Sequence, residues 1–184
     1  MAGLVVLIVL VAALVMWWRL NVSIVRLHSR VDEAWSDVLA QLQRRADLVP
    51  SLVELVRGYV THEETVLRQM VEAWSGLLHA QDPGRAADAE AELSRAVHAT
   101  YAVSERYPQL RASSNFLHLQ RELVHTEDKV VASRRFYNGA VREFNSHIAT
   151  WPGSSVAHRH GWQTAEFFTA TTAAADPPVV DLGR

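Results

Sequence analysis

The chain has 184 residues, 49% hydrophobic and 21% charged, with a formal net charge of −2. That length suits one domain of ordinary size, and the near-neutral balance leaves no basic stripe for nucleic acid. With no cysteine, disulfides, thiolate metal sites and cysteine nucleophiles are excluded.

Six prolines and eight glycines punctuate a chain dominated by Ala, Leu, Arg and Glu. This composition favours long helices, no segment alternates convincingly as a strand, and an all-α fold is expected. The N-terminal run MAGLVVLIVLVAALVMWW carries no charge over 18 residues and ends at Arg19. As a helix it would be roughly 27 Å long, close to the ~30 Å of a hydrocarbon core. Trp17 and Trp18 suit the headgroup layer, and Arg19 would stop insertion. A cleaved signal peptide would need a basic start and small residues at a cleavage site. This segment opens Met-Ala-Gly and leads into MWWRLN, so residues 1–19 are expected to remain as a transmembrane anchor. Arg19, Arg26 and Arg30 follow the span and no Lys or Arg precedes it. The positive-inside rule then puts the N-terminus outside and the remainder in the cytoplasm.

Beyond the anchor, four helical segments are expected, arranged as an antiparallel up-and-down four-helix bundle over residues 20–152. The first, about 20–46, carries Leu20, Ile24, Leu27, Val31, Trp35, Val38 and Leu42 at spacings of three and four. The next position on that stripe is Arg45, followed by Asp47 and Pro50. A single helix over residues 20–80 would be about 90 Å long, against ~55 Å for the longest later segment. A reversal near Ala46 and Asp47 removes the mismatch, with Asp47 as cap and Pro50 in a first turn. Val49 argues against it, because the residue before a proline resists the helical region. A kinked continuous helix is the alternative.

The second segment, about 48–80, repeats Leu52, Leu55, Val56, Tyr59, Val66, Met70, Val71, Trp74 and Leu77. QDPGR (81–85) is a turn. The third, about 86–106, turns Ala89, Leu93, Ala96, Val97 and Tyr101 inward before YPQLRASS breaks it. The fourth, about 114–150, carries Phe116, Leu119, Leu123, Val130, Tyr137, Val141, Phe144 and Ile148 and ends at TWPGSS. Residues 153–184 are expected to hold a short amphipathic piece around TAEFF and a disordered tail, TTAAADPPVVDLGR.

VDEAWSDVLAQLQRRADLVPSLVELVRGYVTHE and NFLHLQRELVHTEDKVVASRRFYNGAVREFN, with WP and AEFF after them, resemble the LemA family of bacterial membrane-anchored proteins. The resemblance spans roughly residues 1–168. It implies a helical bundle behind one transmembrane helix and supplies no catalytic activity. VAHRHGWQ (156–163) departs from it, since relatives tend there to be apolar and glycine-rich.

Glu122 and His125 spell the Glu-x-x-His unit of di-iron bundles, but no second copy occurs and His125 points away from core Leu123. HEE (62–64) and HRH (158–160) lack a full ligand set nearby in sequence. No nucleophile elbow or phosphate loop is present. The strongest polar feature is Glu127, Arg134, Asn138 and Asn145, spaced seven, four and seven apart. They form a line flanking the apolar stripe of the fourth helix, half-buried and therefore in need of partners. Arg45 is expected to meet Glu127, with Asp47 as a second acid. The sequence reading is thus a membrane-anchored, non-enzymatic protein without metal or cofactor. It touches lipid through its N-terminal helix and organises an unidentified protein partner. Two alternatives stay open: a metal or ligand site on the polar line, and a lipid-binding or membrane-remodelling module using TAEFF.

Overall fold

The computed structural model describes residues 1–60 and 62–170; the expected disordered tail lies outside the described residues. Among those residues all regular structure is helical: α1 (Ala2–Arg57), α2 (Glu64–His79), α3 (Pro83–Ser104), α4 (Pro108–Arg111), α5 (Ser114–Ala149) and α6 (Gly153–His160).

α1 is one helix of 56 residues with Pro50 inside it, which corrects the expected reversal at residues 46–47. Arg45 does not interrupt the buried stripe but belongs to it. Val38, Leu42, Arg45, Val49, Leu52 and Val56 are all buried, none above 4% exposed. An interior proline removes a hydrogen bond and crowds the carbonyl four residues back, at a cost of about 3 kcal/mol. Pro50 itself is exposed, and the apolar side chains around it are fully buried. Each is worth about 1.5–3 kcal/mol in burial, so together they outweigh that cost. The true break comes after Arg57, where Gly58 ends the helix and Glu63 precedes α2. α2 is a separate helix and not part of the same rod. From residue 20 to 57 the helix is ~57 Å, close to the ~54 Å of α5.

Other boundaries follow local chemistry. Asp82 caps α3, its carboxylate accepting from Arg85 N at 2.8 Å, and Pro83 occupies the first turn. α4 fills the expected break at YPQLRASS. α6 ends on Gly161 at φ 69°, with Trp162 N donating to Ala157 O at 3.0 Å, a left-handed cap that only glycine adopts readily. The chain turns through a cis Trp151–Pro152 bond into Gly153, where a Cβ would run into the carbonyl of His147. Tyr59 and Val71, expected inward, are exposed, because the break at residue 58 resets the helical phase.

The chain divides into two compact units. One joins Met1–Ser36 to Arg135–Glu166, and the other joins Asp37–Arg134 to the described residues 167–170. In the first, Ile24, Leu27 and Val31 of α1 and Val141, Phe144 and Ile148 of α5 are buried. His28 and His160 stack on Trp162, each with ring centroids 4.5 Å apart. In the second, buried side chains come from α1, α2, α3, α4 and the first half of α5.

The segment expected to be an amphipathic piece around TAEFF has no regular secondary structure. Its backbone is held by side chains of α5. Asn145 donates to Ala165 O at 2.9 Å and accepts from Ala165 N at 2.8 Å, while Tyr137 OH donates to Glu166 O at 2.7 Å. Phe168 is buried.

Candidate functional site

A buried ion cluster lies in the second unit. Arg45 is fully buried, because it stands on the inward stripe of α1 one turn after Leu42 and one before Val49. A guanidinium cannot shed its charge, so burial demands acids. Glu90 of α3 meets its Nη1, and Glu127 of α5 lies 3.3 Å from its Nη2. Glu90 is nearly covered, its side chain 12% exposed, whereas Glu127 is 34% exposed. Ser94 Oγ donates to Glu90 at 3.1 Å. One cation therefore ties three helices together.

Tyr101 of α3 sits beside this cluster. Burial pushes its pKa up to about 12, opposed by the positive Arg45 and reinforced by the negative Glu127. Among the described residues, Arg45 Nε and the Tyr101 hydroxyl are buried without a hydrogen-bond partner. Tyr137, in the other unit, is also raised to about 12, by burial first and then by Glu166 and Asp32. Both phenols are kept neutral by the fold. A pKa raised above its unfolded value near 10 means that the stabilisation is present below pH 10 and lost as pH climbs toward 12. Unfolding midpoints should therefore fall over that alkaline window, and Tyr101→Phe with Tyr137→Phe should flatten the fall. An unchanged alkaline slope in the double variant would contradict this.

The expected residues separate into three groups. Arg45 and Glu127 meet, with Glu90 added. Asp47 does not reach Arg45: it is exposed and accepts from Gln43 Nε2 at 2.7 Å, since two residues on from the stripe it faces outward. Arg134 is exposed rather than half-buried, and Asn138 is half-buried. Asn145 serves the 165 backbone, as described. The polar line of α5 is thus no single site. Glu90 was missed although Ala86, Glu90, Leu93 and Val97 follow one stripe at spacings of four, three and four, the pattern that exposed Arg45.

The histidine groups also divide. Glu122 pairs with Arg44 at 3.9 Å on the surface, and His125 is exposed. Glu63 binds Arg106 at 2.9 Å and accepts from the Tyr107 hydroxyl at 3.4 Å, joining the start of α2 to the end of α3, while His62 faces solvent. His160 contacts Asn21 Oδ1 at 3.1 Å. At the N-terminus, residues 2–18 are wholly exposed along an apolar helix long enough to cross a membrane. Trp17, Trp18 and Arg19 stand exposed at its end.

Residues 34–182 match the family model described as the LemA family. Protein LemA of Metamycoplasma hominis is 25% identical over 150 residues, covering 81% of this chain and 68% of that protein. Magnetosome proteins MamQ 1 and MamQ 2 of Paramagnetospirillum magneticum are each 33% identical over 79 residues. Those two alignments cover 43% of this chain, which spans only 29% of either protein.

Proposed function

The chain belongs to the LemA family, and on that premise we propose that it is a single-pass, membrane-anchored, non-enzymatic protein that holds a protein partner at the membrane surface. One observation carries the reading: a single helix, Ala2–Arg57, contains both the uncharged, exposed N-terminal run and the buried Arg45. The uncharged run and the core arginine thus belong to one continuous helix. The helices that follow the anchor form an antiparallel four-helix bundle, and Arg45 with Glu90 and Glu127 fixes their register. The acids neutralise the arginine and need no substrate to do so. Partner capture by crosslinking in native membranes tests the role. A partner lost on deleting residues 2–18 supports it, and a chain that crosslinks to no protein sinks it.

Orientation follows Arg19, Arg26 and Arg30, with the N-terminus outside and the helical core in the cytoplasm. Full-length protein should stay in membranes through alkaline extraction. Protease added to intact cells should leave the helical core whole, then cut it once the membrane is opened. Cleavage in intact cells would reverse the orientation.

A second reading, a small polar ligand in the core, draws on the unpartnered Arg45 Nε and Tyr101 hydroxyl. A thermal-shift series with small neutral polar solutes, repeated on Tyr101→Phe, tests it; no shift with any of them rejects it. The alternative in which TAEFF enters the bilayer has less support, since Ala165 and Glu166 are bonded to Asn145 and Tyr137.

A further inference from the structure

Immediately below the uncharged run of α1, Trp18, Arg19, Ser23, Arg26, Arg30 and Glu143 line an open cleft of about 520 Å³. At 100° per residue, Arg19, Ser23, Arg26 and Arg30 fall within about 60° of one another, so they share one face. Arg30 is already neutralised, its Nη1 lying 3.0 Å from Glu143. Among the described residues, neither Arg19 nor Arg26 has an acidic partner. The cleft therefore holds two uncompensated guanidinium groups and a hydroxyl donor.

The same face continues toward the N-terminus as an exposed apolar strip, Ile8, Ala12 and Val15, that ends at Arg19. Arg19 thus marks where the apolar strip meets the cationic cleft. An amphiphile with an anionic head and an acyl tail matches both halves, and a free anion would use only the lower one. Side chains on a helix lean toward its N-terminus, here toward the bilayer, and arginine stems snorkel readily. Arg26 lies about 10 Å along the axis from Arg19 and can reach back to the headgroup layer.

We propose that Arg19, Ser23 and Arg26 form a binding site for the headgroup phosphate of an anionic phospholipid, whose acyl chain lies along the Ile8–Ala12–Val15 face. The assignment rests on residues 2–18 spanning the membrane. It differs from general attraction to a charged surface, which would depend on the number of arginines rather than on which ones.

The test uses full-length protein reconstituted in vesicles of equal phosphatidylglycerol and phosphatidylcholine, extracted in mild detergent, with bound lipid read by native mass spectrometry. Wild type should retain phosphatidylglycerol at least tenfold over phosphatidylcholine. Arg19→Gln with Arg26→Gln should lose that preference by about tenfold, while the charge-matched control, Arg68→Gln with Arg121→Gln, should keep it. Arg19→Lys with Arg26→Lys should recover part of it, since charge remains while the planar fork is lost. Equal loss in the control pair, or no preference in wild type, overturns the proposal. Alkaline extraction of each variant separates the two claims. A protein that resists extraction but shows no lipid preference refutes the site alone, and one that is extracted refutes the anchor and the site with it.

Discussion

Arg45→Leu should lower the stability of the full-length protein by about 3–5 kcal/mol, the usual loss when one partner of a buried ion pair is removed. For a chain of this size that is roughly a 10 °C drop in unfolding midpoint. The loss comes less from the missing attraction than from what remains. Glu90, 12% exposed, and Glu127, 34% exposed, would face each other without the cation that brought them together. Glu90→Leu should cost more than Glu127→Leu, because solvent already screens the attraction of the more exposed Glu127 to Arg45. Combining Arg45→Leu with Glu90→Leu should cost clearly less than the sum of the two, as expected for residues in contact. Replacing all three charged residues by apolar ones of similar volume should recover most of the stability. That triple variant is informative for function. If it folds and still gives the crosslink expected of the proposed partner, the cluster serves helix register alone. Strict additivity of the pair would contradict the geometry.

Phe144→Ala should be the most damaging truncation in the other unit, at about 3–5 kcal/mol. Phe144 is 1% exposed, and its ring meets His28 at 5.3 Å and Trp162 at 6.2 Å, both near-perpendicular. The cavity would remove the support under the His28–Trp162–His160 stack and sit one residue from Asn145, which ties down Ala165. Denaturant midpoints measure the loss. Hydrogen exchange should show faster exchange at the Ala165 and Trp162 amides, whose hydrogen bonds depend on this packing. A variant within 1 kcal/mol of wild type would mean that the aromatic cluster is not a structural centre.

Much of this was legible in the sequence because helical periodicity is a strong signal. The stripe from Leu20 to Leu42 placed Arg45 inward, and the flank of α5 placed Glu127 beside it. The same rule applied to α3 would have found Glu90, since it occupies a stripe position between Ala86 and Leu93. What misled was local chemistry taken at face value. Arg44, Arg45, Asp47 and Pro50 look like a helix boundary, yet the apolar side chains at Val49, Leu52 and Val56 continue the phase without a slip. Tertiary burial overrode the proline. Gly58 and the polar HEE that follows are the real punctuation. The attachment of residues 165–166 by Asn145 and Tyr137 lay beyond sequence reading. It joins positions 20 and 29 residues apart through backbone groups, which carry no residue identity. The split of the polar line has the same origin, because one face of α5 passes from Glu127 beside α1 and α3 to Asn145 beside an irregular strand of chain.

α1 passes unbroken through Pro50, so that the uncharged N-terminal run and the buried arginine share one helix. The chain has no cysteine, so Asp37→Cys and Glu54→Cys, both at exposed positions, accept spin labels without background. Pulsed electron–electron resonance on the full-length protein in a bilayer then measures the separation across residues 46–50. A continuous helix predicts about 26 Å between the two backbone positions, from 17 residues at 1.5 Å each. A reversal at Ala46 and Asp47 would bring them to roughly 10 Å, the spacing of packed helices, and would contradict the account.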